Sequence, residues 1–459
     1  MTKPRVKIAD AYGLIALLAG LIFIAATPPF GAGDETAHFE RAHEVATGAA
    51  LGAEGLPSGM QAFIDDAFGR VKSGAAIKPG DVARWAEIPL RADETVPYPE
   101  PLRAVLRLHS PLCYAHLAPV AAAGLALNLS PIVTFYLGRL AALLAGVLLV
   151  RAAIGAAPET FRAPLAFLGL MPTTIVYFSA FNIESALIGL GFLFFALVAR
   201  HASAPDERLN AGAIALLAAT GFLLGQFKTG YLLVPAIALI IPPTAFGSRA
   251  RWMGAMALII LPGALASLGW ALTVKNAMLA DLVYSTFDAN RVAPGEQLAG
   301  VLADPLRYLG VIATTLFASD APGAAMKMFF GVGGWTNIPV ASPVYALLIV
   351  SLALVWMSGE RAPPAMRSLY GGSVLLGVFL ATVFGILTLV YFQWNGVGAD
   401  RIEGFQGRYM IAIAPLLLAL APVRLSILAG PRARVMLAFG APLIGTAAML
   451  GAVLAVYYG

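Results

Sequence analysis

Residues 11–41 read AYGLIALLAG LIFIAATPPF GAGDETAHFE R. The first part, 11–27, is apolar and carries no charge. Crossing the hydrocarbon core of a bilayer takes roughly 20 mostly apolar residues, so this run reads as a membrane span. Pro28 and Pro29 stop it, because proline lacks the backbone N–H and clashes with a preceding helical turn. The chain then turns polar at once: Asp34, Glu35, His38, Glu40 and Arg41 follow within a few positions.

The same apolar pattern recurs through the rest of the 459 residues, of which 59% are hydrophobic and 12% charged. Soluble proteins carry about 25% charged residues, so a soluble domain with one anchor is excluded. The expected fold is an all-α polytopic membrane protein with about eleven transmembrane helices. They fall near 11–27, 132–151, 163–179, 183–199, 211–226, 230–243, 253–274, 342–358, 368–391, 409–422 and 433–457. Lys3-Pro4-Arg5-Val6-Lys7 before the first run resembles a signal-peptide start, but the many later spans favour an uncleaved first helix. The whole chain reads as one integral membrane domain, 1–459.

Charge orients the chain. With the N-terminus cytoplasmic, the inner connections hold Lys3, Arg5, Lys7, Arg151, Arg162, Arg200, Arg208, Arg249, Arg251, Arg361, Arg367, Arg424, Arg432 and Arg434. The short outer connections hold Lys228, Arg401 and Arg408. Lys and Arg accumulate on the cytoplasmic side. The net charge of +5 is therefore a membrane signature and not a nucleic-acid one. Residues 111–128 are apolar enough to cross, but crossing would turn the basic connections of 151–252 outward. They read as interfacial or re-entrant, a form that survives only when packed in protein or lining a cavity. Two outer loops are long, 28–131 and 275–341, and the first is rich in Pro, Gly and charge, with short amphipathic stretches. The single cysteine, Cys113, excludes an internal disulfide and a multi-cysteine metal site. There is no P-loop, which argues against nucleotide hydrolysis.

Four clusters carry candidate chemistry. In the first, Asp34, His38 and Arg41 are spaced i, i+4, i+7 and would share one helical face. A carboxylate with such neighbours suits a general base or a metal ligand. Equally, Asp34 could simply cap the helix. The second is Asn182-Ile183-Glu184, at a span boundary where an acid facing lipid is costly; a helix-start acid is the plainer reading. The third is Lys228, within Gln226–Tyr231, a lone outer cation with lipid phosphate or mere snorkelling as its options. The fourth runs from Trp394 to Tyr409 and holds Arg401, Glu403, Gln406 and Arg408 among glycines. Arginine presents a planar fork that fits phosphate, though Trp and Tyr also anchor turns at this depth. Arg139 lies within the second span and needs a carboxylate or phosphate partner, most simply in a salt bridge. The loop 331–337 could shape a ligand surface.

Two of these motifs, Asp34-Glu35-Thr36-Ala37-His38-Phe39 and Gly404-Phe405-Gln406-Gly407-Arg408-Tyr409, together resemble the bacterial membrane-protein family catalogued as domain of unknown function 2142. Met171-Pro172, Asn182-Ile183-Glu184, Lys228 and Gly334-Trp335 fall in matching order, so the resemblance covers roughly residues 10 to 425. The family often has aspartate where this chain has Glu184. That family is in turn similar to the GT-C glycosyltransferases, multi-span enzymes that use polyprenyl-phosphate sugars on the outer membrane face. The resemblance implies a GT-C-like fold in the bacterial inner membrane, with juxtamembrane helices in the first long outer loop and the site facing the periplasm. It implies Asp34 as catalytic base and Glu35 as its support or as an acceptor ligand. Glu184, with Asn182 and His38, would be the second acid, for acceptor or metal. Arg408, Arg401, Lys228, Tyr409 and Gln406 would hold the donor phosphate. A divalent metal (Mg or Mn) at Asp34 and Glu184 is compatible but not required. The partners would be the lipid-linked donor, a glycan, lipid or protein acceptor, and the bilayer, without nucleic acid. The competing readings are a transporter or flippase of a lipid-linked glycan, a polymerase or ligase using a diphosphate-linked oligosaccharide, and a structural scaffold.

Overall fold

A computed structural model describes residues 7–49, 55–90, 94–97, 107–276, 291–420 and 430–459. Lys3, Arg5 and Arg424 of the orientation argument, and the end of the 409–422 span, lie outside the described residues. The described residues are predominantly helical, and their strands form only two short antiparallel pairs, Gly55–Pro57 with Thr95–Pro97 and Val332–Gly333 with Ile338–Pro339.

Among the described residues, six helices are long and apolar enough to cross a membrane: Ile8–Ala26, Pro131–Ala156, Glu184–Ser203, Arg249–Thr273, Leu369–Trp394 and Arg432–Tyr458. Two bent pairs raise the number to eight if each is one span. This makes the chain a multi-pass membrane protein, with fewer regular spans than the eleven expected.

The differences have local causes. The expected 163–179 span is two helices, Glu159–Leu170 and Pro172–Phe178, bent by 67°. Pro172 forces Met171 out of the helical region, to φ −55°, ψ 145°. The expected 230–243 and 409–422 spans are largely 3-10 turns, Thr229–Tyr231, Val234–Ile240 and Gly407–Ile413. The helices at 211–226 and 342–358 form, but with 17 and 16 residues they are short. The stretch 275–341 is not simply loop. It holds Pro305–Phe317 and Ala321–Gly331, an apolar pair bent by 58°. Residues 111–128 form one 3-10 turn and the ten-residue helix Ala118–Leu127, too short to cross.

Glu184–Ser203 is the central helix, with 89% of its apolar window buried, against 22% for Ile8–Ala26. The peripheral helices show leucines outward, Leu18, Leu265 and Leu272 among them. Lipid tails are as apolar as leucine, so such faces cost nothing in a bilayer. After the first helix the described part of 28–131 folds into small helices: Glu35–Ala46, Ser58–Ser73, Pro79–Glu87 and those at 111–127.

Candidate functional site: a chamber with charged and apolar walls

One buried clasp sets the position of the first motif. Arg139, wholly buried, donates from Nε and Nη2 to Glu35 at 2.8 and 2.7 Å. It also donates to the carbonyls of Thr27 (2.6 Å) and Pro28 (2.8 Å), at the end of the first helix. Glu35 further accepts from the backbone N–H of Phe181 (2.8 Å) and Ala32 (3.2 Å). Thus every oxygen of a buried carboxylate is satisfied, and the first helix, the helix Pro131–Ala156 and the Phe181 turn are pinned together.

Asp34 precedes this clasp in a left-handed conformation, φ 67°, and makes no capping bond. A non-glycine residue held there is strained, and such strain clusters at functional sites. The loop is tied from outside as well: Gly33 N–H donates to Gly334 O at 3.0 Å and Trp335 Nε1 to Phe30 O at 2.9 Å.

The Asp34 side chain is 43% exposed and opens into a cavity of about 300 Å³. Arg408 donates from Nη2 to Asp34 Oδ2 at 2.5 Å and from Nη1 to the Tyr177 hydroxyl at 2.5 Å. Its guanidinium lies 4.6 Å from the Tyr177 ring centroid and 5.4 Å from that of Tyr409. Gly407 makes this placement feasible: a Cβ there would sit 1.7 Å from Ala325 O, so only glycine lets the turn approach the helix Ala321–Gly331.

A second ion pair faces the same cavity. Lys228 ends the helix Ala211–Phe227 and donates from Nζ to Glu184 Oε1 at 2.9 Å, with its ammonium 4.5 Å from the Tyr409 ring centroid. Glu184 opens the central helix, whose start Asn182 supports by accepting from Ser185 N–H and donating to Tyr177 O. His38 completes this wall, with Nδ1 2.8 Å from the Tyr114 hydroxyl and Nε2 3.7 Å from Glu184 Oε2.

Another part of the lining is largely apolar, with Gln393 its one polar side chain. Ile386, Leu389, Val390, Gln393 and Trp394 line the cavity from one face of the helix Leu369–Trp394, at spacings i, i+3, i+4, i+7, i+8. Trp335 and Leu108 extend it.

The charges act on one another. Withdrawal from bulk water within the cavity lifts the Asp34 carboxyl, but the Arg408 guanidinium, through its charge and its hydrogen bond, more than offsets this and leaves Asp34 below the ordinary carboxylate value. Burial lowers the His38 imidazole, against the pull of Glu184 and Asp34. Burial also pushes His109, stacked on His38 at 6.2 Å, down to about 3. Both rings are therefore neutral near pH 7.

Residues 17–417 match the family described as "Predicted membrane protein (DUF2142)". The chain belongs to this family. No curated protein and no solved structure shows significant similarity to it.

Within this DUF2142 chain, six of the residues expected at a site, Asp34, His38, Glu184, Lys228, Arg408 and Tyr409, line one cavity. Four do not. Glu35 is consumed by Arg139, because a fully buried carboxylate needs a cation of its own. Arg401 is exposed and pairs with Glu403, two residues along. Asn182 serves the helix start, and Gln406 is absent from the lining. Arg41 leaves the shared face: it is wholly buried and bound to Glu44 at 2.8 Å. Tyr177, Tyr114, His109 and the apolar wall were not expected. The wall's spacing is visible in the sequence but looks like any lipid-facing stripe.

A metal fits poorly. Asp34 and Glu184 each already hold a cation, and among the described residues no group of three or more His, Cys, Asp or Glu is set to hold an ion.

Proposed function

We propose that this chain is a glycosyltransferase of GT-C type in the bacterial inner membrane, its N-terminus cytoplasmic and its chamber open to the periplasm. It would move a sugar from a polyprenyl-phosphate donor to an acceptor hydroxyl of a glycan, lipid or protein. The observation that carries this reading is the Asp34–Arg408 pair in a cavity whose lining combines charged groups with a largely apolar helix face. A ligand that satisfies both has an anionic head and a hydrocarbon body.

The mechanism follows from the pair. At rest Arg408 holds Asp34 as a weak base. A phosphodiester that reaches Arg408 competes for the guanidinium, and the Asp34 carboxylate is released and strengthened beside a second anion. Asp34 then takes the proton of the acceptor hydroxyl as its oxygen bonds to the anomeric carbon. The bond from that carbon to the phosphate oxygen breaks, and its electron pair leaves with the lipid phosphate. Arg408, supported by Lys228, holds the charge that develops there. Attack opposite the leaving group inverts the anomeric centre.

Two cations flank the Tyr409 ring, and this favours one second reading, a diphosphate-linked donor. Competition between mono- and diphosphate lipids separates the two.

The test is sugar transfer by the purified chain in nanodiscs from synthetic polyprenyl-phosphate sugars. Transfer that is lost in both Asp34→Asn and Arg408→Ala supports the reading. Full-rate transfer in both variants, or none from any donor in the wild type, overturns it.

A further inference from the structure

The charged wall holds a buried acceptor that its ion pair leaves idle. Glu184 is 4% exposed, and its Oε1 is taken by Lys228, but Oε2 has no hydrogen-bond partner. Leaving a buried carboxylate oxygen unpaired costs free energy, so the atom calls for a donor. The near candidate, His38 Nε2, is 3.7 Å away, beyond hydrogen-bond range.

The far side of His38 explains what could come between them. Tyr114 is buried, and its hydroxyl meets His38 Nδ1 at 2.8 Å. With that hydroxyl donating, the proton of the neutral ring sits on Nε2. Nε2–H and Oε2 then form a donor and an acceptor side by side. One hydroxyl set beside both can accept from the first and donate to the second. A phosphate oxygen cannot, because it has no proton for Oε2 and would face a carboxylate.

We propose that Glu184 Oε2 and His38 Nε2 form a subsite for a hydroxyl of the sugar ring, separate from the phosphate position at Arg408, with Tyr114 as the residue that positions His38. This deepens the donor reading above and rests on it. Specificity for the sugar then resides in the second ion-pair wall, while Arg408 and the apolar wall recognise the lipid phosphate common to all donors.

The test measures binding to the full chain in nanodiscs. The probes are decyl glycosyl phosphates (glucosyl, galactosyl, mannosyl and arabinosyl) and decyl methyl phosphate, which keeps the phosphodiester and tail but has no ring hydroxyl. At least one glycosyl compound is expected to bind about 10- to 100-fold more tightly than the methyl compound, as a hydrogen bond to a charged group allows. Glu184→Ala should erase that margin yet bind decyl methyl phosphate as well or better, since Lys228 is freed; retained binding also shows that the variant folds. Tyr114→Phe, which keeps the ring, should lose part of the margin. No glycosyl preference in the wild type, or a preference that survives Glu184→Ala, overturns the subsite. Failure of decyl methyl phosphate itself to bind the wild type overturns the donor reading instead.

Discussion

Arg408 donates to the carboxylate of Asp34 at 2.5 Å across 374 positions of sequence. One residue follows the first membrane helix and the other lies at the start of the late 3-10 turn Gly407–Ile413. Their meeting makes two distant motifs parts of one chamber, and Gly407 is what lets the second motif reach it.

Gly407→Ala should therefore behave like a lesion of Arg408. The new methyl would collide with the Ala325 carbonyl, so the turn must shift. Displacing a positioned group by about 1 Å can cost on the order of 100-fold in rate. We expect transfer to fall by about that factor, with the protein still extractable and monodisperse. Unaltered transfer would show that the turn is free to adjust.

The Glu35–Arg139 clasp should matter to stability more than to chemistry. Removing one partner strands a buried charge, which costs about 3–5 kcal/mol. Glu35→Gln and Arg139→Met should each lower the thermal midpoint of the detergent-solubilised chain. The double variant Glu35→Leu with Arg139→Met should recover part of the loss, because neither charge remains. Equal or additive destabilisation in the double variant would contradict a coupled pair.

The acid limb of the kcat/KM profile against pH should report on Asp34 in the free enzyme, where Arg408 still holds it. Arg408, His38 and Glu184 bear on this carboxyl, and its position below the ordinary carboxylate value depends mainly on Arg408. The carboxylate is the active form, so lowering the pH through its folded value removes activity. In the wild type that loss should begin only below the usual carboxylate range. In Arg408→Lys, where a point charge replaces the fork, the limb should move to higher pH. A limb that stays in place would assign it to another group.

Much of this was legible in the sequence. The scarcity of charge announced the membrane. Asp34 and Arg408 were visible because a charge beside a long apolar run stands out. The irregular spans were not visible, since Thr229–Ile240 and Gly407–Leu418 are apolar like any helix and differ only in backbone winding. Glu35 was misread because adjacency to Asp34 suggested partnership, whereas the αL turn at Asp34 sends the two side chains to different places. Arg139 was anticipated to need a carboxylate, but composition could not say which one. The apolar wall stayed hidden because a chamber face and a lipid face obey the same pattern.

The apolar wall makes its own prediction. Val390→Asp places a charge among Ile386, Leu389 and Trp394. It should weaken binding of decyl methyl phosphate by about tenfold or more, since burying a charge beside a hydrocarbon chain is costly. Binding of inorganic phosphate should change much less. Equal loss for both ligands would point to a general collapse of the chamber.

The most direct measurement is a cryo-EM map of the chain in nanodiscs with a polyprenyl phosphate bound. The account predicts phosphate density against the Arg408 guanidinium, the tail along Ile386–Trp394, and the Asp34 carboxylate no longer paired. Phosphate density elsewhere, with the Asp34–Arg408 pair intact, would contradict it.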